Sequence, residues 1–155
     1  MSDAAVLDKA FQFIMRRFVE TGRAPHYTEL ARARGSSPEE GRQVLHGVMK
    51  LFFPGWLYPD TDYIASFPPF HNLPTQYRIS VAGHQQWFAQ CGFEALAMTW
   101  LFAAHAVRID APCLDCGEPI LIEMRDGQLL TVEPAGVIGH LNNPFPTRPE
   151  ARAVA

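Results

Sequence analysis

The sequence predicts an α+β protein, because three helical segments precede a series of short strands that surround one further helix. Apolar residues recur at helical spacing before residue 52, and apolar and polar residues alternate in several runs after residue 76. The chain has 155 residues, 48% of them hydrophobic, which is ample for a core. We predict a helix-turn-helix or winged-helix-like domain over residues 1–66, a core over 67–145 and a disordered tail over 146–155.

The first two helices are indicated by their caps and by their apolar positions. The first is expected to be capped by Asp3 and to end at Gly22. The second is a short helix that Thr28 caps and Gly35 closes. Both are predicted to bury one apolar face.

The third helix is predicted to open at Ser36 or Ser37, with Pro38 in its first turn. Two apolar runs around a turn at 59–62 then resemble the β-wing of a winged helix, an architecture that binds DNA. However, residues 1–55 carry eight basic against six acidic side chains, and the recognition helix would begin with two acids. We therefore do not expect nucleic acid as a partner.

The second half is predicted to contain mainly strands. The Pro-rich segment at 66–74 is too apolar for a flexible linker and is expected to pack between the halves. Strands QYRISV and QWFA flank a turn with Gly83, and an apolar, buried helix runs from about Cys91 to Phe102. Strands AVRIDAP, PILIEMR and LLTVEP follow, and the chain is expected to fray beyond Gly136.

Composition and charge limit the possible partners and compartments. A net charge of −3 gives no overall attraction to nucleic acid or to anionic membranes. Gln12, Arg16 and Arg17 interrupt the apolar residues of the first helix, so we predict neither a signal peptide nor a membrane span. Three cysteines, an odd number, predict free thiols in a reducing cytoplasm.

The segment WFAQCGFEALAM, residues 87–98, places a cysteine at the start of a predicted helix. Cys91 and Glu94 are three residues apart and would share one helical face. A thiol at a helix start can be acidified by the helix dipole, and a nearby carboxylic acid can pass a proton to whatever the sulfur holds. The pair is a candidate reaction centre, and the alternative is a small buried thiol beside a first-turn acid.

The other cysteines, Cys113 and Cys116, form a CxxC in APCLDCGEPI. Its spacing suits half of a structural zinc site, but the sequence has no second CxxC or HxxxH pair. A thioredoxin-type redox pair is disfavoured because the motif lies between strands. A tight turn with buried thiols is the alternative. Each of the six histidines fits a structural or exposed role better than that of a ligand: His26, His46, His71, His84, His105 and His140.

Three segments together resemble the alkylmercury (organomercurial) lyase family. VAGHQQWFAQCGFEAL has the family's strand, turn glycine, aromatic residue and alanine before a cysteine, and an acid three positions after it. APCLDCGEPI is similar to the loop around the family's second, mainly structural cysteine, matched by Cys113, and VEPAG at 132–136 is found there almost verbatim. The three helices are similar to the domain that precedes the lyase core. The resemblance implies an alkylmercury-lyase-like core over 67–145.

The resemblance implies capture of an organomercurial by a thiolate, followed by protonolysis of the carbon–mercury bond. Mercury is a soft metal that prefers thiolate ligands. Cys91 would be the primary thiol and Glu94 the proton donor, where the family has the shorter aspartate. Trp87, Phe88 and Phe93 are expected to exclude water and raise the pKa of Glu94. No cofactor is required, and mercury would be a substrate-derived ligand.

One feature of the family is missing from the sequence. Its lyases carry a second catalytic cysteine well after VEPAG, whereas no cysteine follows Cys116 here. Either Cys116 supplies the second sulfur, or the sequence stops short of the native C-terminus, or lyase activity is absent. The predicted catalytic set is therefore Cys91, Glu94 and Cys116.

Two other functions stay open. Cys91, Cys113 and Cys116 could together hold mercury, copper or zinc without chemistry. A winged-helix regulator could instead sense metal or oxidation through its sulfur residues. The expected partners are a small organometal or another soft electrophile and small thiols, without a membrane.

Overall fold

The computed structural model describes residues 4–51 and 55–140, apart from the side chain of Gln85. These residues form four α-helices and one eight-stranded antiparallel sheet. The predicted α+β class is confirmed. None of the described helices is long and apolar enough to cross a membrane.

The elements follow the predicted order of three helices, strands, one helix and strands. The helices are α1 (Ala4–Thr21), α2 (Tyr27–Arg34), α3 (Pro38–Leu51) and α4 (Gly92–Met98), which a 3₁₀ turn (Thr99–Leu101) extends. The strands are β1 (Trp56–Leu57), β2 (Ile64–Phe67), β3 (Phe70–His71), β4 (Tyr77–Val81), β5 (His84–Ala89), β6 (Val107–Pro112), β7 (Pro119–Arg125) and β8 (Gln128–Glu133). Their order in the sheet is β1-β2-β3-β5-β4-β6-β7-β8.

The caps of α2 and α3 come from side chains that precede each helix. The predicted cap Thr28 is wrong, because His26 is the extended residue before α2 and its ring nitrogen accepts the Thr28 N–H. Glu29 completes this cap by accepting the His26 N–H at 3.1 Å. The start of α3 is confirmed: Ser37 Oγ accepts the Glu40 N–H at 3.2 Å, and the Glu40 carboxylate accepts the Ser37 N–H at 2.8 Å. The predicted cap Asp3 lies outside the described residues.

The predicted β-hairpin is confirmed as β1 and β2, and it continues the same sheet as the later strands. The likeness of this region to a winged helix stays a prediction. The predicted domain boundary after residue 66 also stays a prediction, and residue 66 lies within β2.

The Pro-rich segment forms strands, which the sequence pattern did not indicate. Phe67 at the end of β2 pairs with Phe70 at the start of β3, across a turn of two prolines. Both rings are buried beside Phe18 of α1, with the Phe18 and Phe70 centroids 5.0 Å apart. The segment therefore packs between the helices and the rest of the sheet, as expected, and also belongs to the sheet.

Helix α1 is fixed to strand β5 at its C-terminal end. The Trp87 indole Nε1–H donates to the Phe18 carbonyl oxygen at 2.8 Å. One turn later, Gly22 has φ +71°, and a Cβ there would lie 2.2 Å from the Gln86 carbonyl oxygen. Only glycine satisfies both the left-handed backbone and this close approach.

The predicted helix after β5 is confirmed, but its complete burial is wrong. Helix α4 buries Ala95 and Met98, whereas Phe93 is 48% exposed and Trp100 in the following turn is 66% exposed. The helix covers the core with one side only, and an apolar composition cannot distinguish one buried side from two. The predicted fraying and tail beyond residue 140 lie outside the described residues.

Candidate active site

Cys91 lies where strand β5 ends and helix α4 begins. It has an extended backbone, with φ −146° and ψ 172°, and is the N-cap residue of α4. Its Sγ accepts the backbone N–H of Glu94 at 3.5 Å, and its carbonyl oxygen accepts the N–H of Ala95 at 2.9 Å. Cys91 is a free cysteine and a partly exposed residue. The start of the helix determines the position of its sulfur.

Glu94 lies in the first turn of α4, and its N–H donates to the Cys91 sulfur at 3.5 Å. The backbone N–H groups of Gln90 and Cys91 act on its carboxyl and lower its pKa, against the larger effect of burial. The thiol and the carboxyl therefore belong to the start of the same helix. Gln90 is itself anchored, because the buried Ser66 hydroxyl donates to its Oε1 at 2.7 Å.

The environment of Glu94 favours its neutral form. Burial raises the pKa of the Glu94 carboxyl, while the N–H groups of Gln90 and Cys91 and the charge of His71 oppose the rise. Its buried Oε2 has no hydrogen-bond partner among the described residues. The predicted rise in the pKa of Glu94 is confirmed. A protonated Oε2 would therefore have no acceptor for its O–H within the described part of the chain.

The aromatic residues predicted to shield Glu94 have different environments. Trp87 is buried against α1 through its hydrogen bond to Phe18, and its ring lies 4.7 Å from that of Phe102. Phe88 is partly buried on β5, and Phe93 is half-exposed on α4. The segment after β8 returns to this helix, since a Cβ at Gly139 would lie 3.6 Å from the Phe93 ring.

His71 is a neighbour of Glu94 that the sequence pattern did not reveal. It lies on β3, paired with Phe88 of β5, and its Nδ1 is 2.9 Å from the Leu73 carbonyl oxygen. The positive charge of His71 acts on the Glu94 carboxyl and lowers its pKa, against the larger effect of burial. Only the pairing of β3 with β5 places it there, so no local motif could have identified it.

Cys113 and Cys116 lie in the loop between β6 and β7. The Cys113 N–H donates to the Glu118 carbonyl oxygen at 2.8 Å, and the Gly117 N–H donates to the Cys113 carbonyl oxygen at 3.0 Å. The N–H groups of Cys116 and Asp115 and the Cys116 thiol act on the Cys113 sulfur and lower its pKa. The predicted tight turn is confirmed, but Cys116 is exposed and Cys113 only partly buried.

The two groups of thiols share one end of the sheet. Ala89 of β5 lies opposite Tyr77 of β4, and Arg78 of β4 lies opposite Asp110 of β6, so both strands lead to that end. Two strand spacings, roughly 10 Å, separate β5 from β6.

The structure does not gather the three predicted thiol ligands into one cluster. Within the described ranges, no three His, Cys, Asp or Glu side chains lie close enough to hold a metal ion together. Cys91 is paired with Glu94, and Cys113 is paired with Cys116.

Comparisons with known proteins identify the family and the fold. The family model described as MerB, alkylmercury lyase, matches residues 70–155, which include Cys91, Glu94, Cys113 and Cys116. No curated protein matches the sequence. The solved structure titled "Crystal structure of the mercury-bound form of MerB2" has the same fold at 21% identity, with a TM-score of 0.57 over 84% of this chain and 68% of that chain. Since the family model matches more than half of the sequence, the chain belongs to the alkylmercury lyase family.

Proposed function

We propose that this protein cleaves carbon–mercury bonds, with Cys91 as the capturing thiol and Glu94 as the proton donor. The hydrogen bond from the Glu94 N–H to the Cys91 sulfur carries the proposal, because it places an acidic residue beside a partly exposed cysteine in a chain of this family. Neither residue needs a cofactor for these roles.

Capture is an exchange of ligands on mercury. The Cys91 thiolate binds the mercury of an R–Hg–X compound and X⁻ leaves, which gives R–Hg–S–Cys91. Mercury favours sulfur over oxygen donors, so the thiol and not the neighbouring carboxyl is the point of attachment. The partial exposure of Cys91 supports access for a small organomercurial.

Cleavage then needs a proton at the carbon. Neutral Glu94 donates its proton, the electron pair of the carbon–mercury bond forms the new C–H bond, and the hydrocarbon leaves. Mercury stays on Cys91 as Hg²⁺, next to a Glu94 carboxylate that is now negative. Burial supports this role because it keeps Glu94 protonated to a higher pH than a solvated glutamate.

Glutamate stands where the resemblance implies the shorter aspartate. Glutamate is one methylene longer, so its carboxyl can reach further from the sulfur. The backbone N–H groups of Gln90 and Cys91 lower the pKa of the Glu94 carboxyl, which supports a carboxyl near the start of α4.

A second sulfur must then remove Hg²⁺ from Cys91. A small thiol from solution can supply it, and so can Cys116, whose exposed loop lies at the same end of the sheet. Either route frees Cys91 for another cycle. Both require reduced thiols, which supports a cytoplasmic location.

The experiment that tests the proposal follows hydrocarbon release from an arylmercury compound. Reduced protein is incubated with the compound and excess small thiol, and the arene is measured by gas chromatography. Several turnovers per chain are expected for the unchanged protein and none above background for Cys91→Ser. Release at equal rates by both proteins would overturn the assignment of Cys91.

A further inference from the structure

The loop between β6 and β7 has more internal order than a hairpin connection needs. Two backbone hydrogen bonds close it, from Cys113 to Glu118 and from Gly117 to Cys113. Gly117, which follows Cys116, adopts φ +76°. The closed loop therefore holds the two cysteines of the CxxC within one tight turn.

A site with two adjacent sulfur ligands and no others favours metal ions that need only two ligands. Zinc in structural sites takes four ligands, and among the described residues no third His, Cys, Asp or Glu side chain, including the loop's own Asp115 and Glu118, is placed to share a metal ion with the two cysteines. A soft cation that is satisfied by two thiolates has no such requirement. Inorganic Hg²⁺ fits that description and is the metal product of the reaction proposed above.

We propose that Cys113 and Cys116 form a two-thiolate binding site for inorganic Hg²⁺, separate from the Cys91–Glu94 centre. This inference rests on the proposed function for the source of the ion. Cys116 then supplies the second sulfur when the Hg²⁺ product is removed from Cys91, and Cys113 binds the same ion.

The positions of the two sites suit a transfer from one to the other. Cys91 follows β5 and the loop follows β6, at the same end of the sheet. Cys116 is exposed, so it can attack mercury that is bound by Cys91 and one small thiol. The loop stabilises the sulfur of Cys113, which then binds the same mercury ion and completes the chelate.

The transfer balances without any oxidation. Mercury begins on the Cys91 sulfur and on one small thiol, both as thiolates. The thiols of Cys113 and Cys116 each form a bond to mercury and give up one proton. Those two protons go to the sulfurs of Cys91 and of the small thiol, which both leave as free thiols.

The test titrates the reduced full chain with mercuric chloride in the presence of a competing monothiol. Bound mercury is counted by native mass spectrometry and followed by its sulfur-to-metal charge-transfer absorbance. Cys91→Ser is expected to retain one Hg²⁺ per chain. Adding Cys116→Ser should weaken that binding by about a hundredfold or more, since it removes the chelate. Adding Leu114→Ala, in the same loop, should not.

Loss of Hg²⁺ retention in Cys91→Ser alone would overturn the site, as would equal binding with and without Cys116. Because inorganic Hg²⁺ is added directly, the result does not depend on cleavage of a carbon–mercury bond. A chain that binds Hg²⁺ at the loop but releases no hydrocarbon would keep this site and remove the proposed lyase function.

Discussion

The Glu94 N–H donates to the Cys91 sulfur at 3.5 Å across the first turn of α4, where Cys91 is the N-cap residue. The same two residues thus begin the helix and form the candidate reaction centre. The capping bond brings the backbone of an acidic residue to the thiol without any additional element. A substitution of Cys91 that keeps the capping hydrogen bond but removes the sulfur separates its effect on fold stability from its effect on the reaction.

Cys91→Ser is expected to leave the stability of the fold nearly unchanged, because serine is a favoured N-cap residue. Cys91→Ala removes the acceptor of the Glu94 N–H and should lower the free energy of unfolding by about 1 kcal/mol. Urea denaturation of both variants measures the difference. If serine destabilised the fold as much as alanine does, the capping role of Cys91 would be refuted.

The rate of hydrocarbon release should fall as pH rises. Only protonated Glu94 can donate, and burial raises its pKa, so the active form persists above the ordinary carboxyl range and is lost as pH passes the raised value. Single-turnover release from a preformed R–Hg–Cys91 adduct measures this step without the capture step. A rate that increases with pH would exclude Glu94 as the acid.

His71→Asn should move that pH profile upward. The charge of His71 lowers the pKa of Glu94. A neutral side chain at this position removes that effect, so burial raises the pKa of Glu94 further. The same single-turnover release, measured against pH, reports the shift, and His84→Asn on the exposed β4–β5 turn serves as the matched control. A profile displaced to lower pH, or one that moves equally in the control, would contradict the interaction.

Gly22→Ala should destabilise the fold far more than Gly35→Ala. Both glycines have positive φ, which costs alanine about 1 kcal/mol, but a Cβ at Gly35 meets nothing within 4 Å. At Gly22 the Cβ would also clash with the Gln86 carbonyl oxygen at 2.2 Å, so a total above about 3 kcal/mol is expected. Thermal unfolding of the two variants provides the comparison, and similar losses would mean that α1 and β5 are less closely packed.

Local patterns were sufficient to predict much of the fold. The buried stripe of Ala10, Ile14 and Phe18 has helical spacing and identified α1. The alternation of apolar and polar residues, together with the turn at Gly83, identified β4 and β5. These features depend on neighbouring residues, whose spacing can be read from the sequence.

Features that depend on distant contacts could not be predicted in this way. Strand β3 exists because Phe70 and His71 pair with β5. This pairing also brings His71 near enough to Glu94 for its charge to lower the pKa of the Glu94 carboxyl. Similarly, the spacing of the cysteines could not show whether Cys91 joins Cys113 and Cys116 in one cluster, and in the described residues it does not. The cap of α2 was missed because a histidine rarely fills that position.

The central claim is that Cys91 captures the organomercurial and Glu94 supplies the proton. Its most direct test is one experiment on Glu94→Gln, in which an arylmercury compound is added without small thiol. The mass of the protein then reports the adduct, and gas chromatography reports the arene. We predict that the variant forms the aryl–mercury adduct at Cys91 as fully as the unchanged protein but releases arene at least about a hundredfold more slowly. Arene release at the unchanged rate would contradict the account.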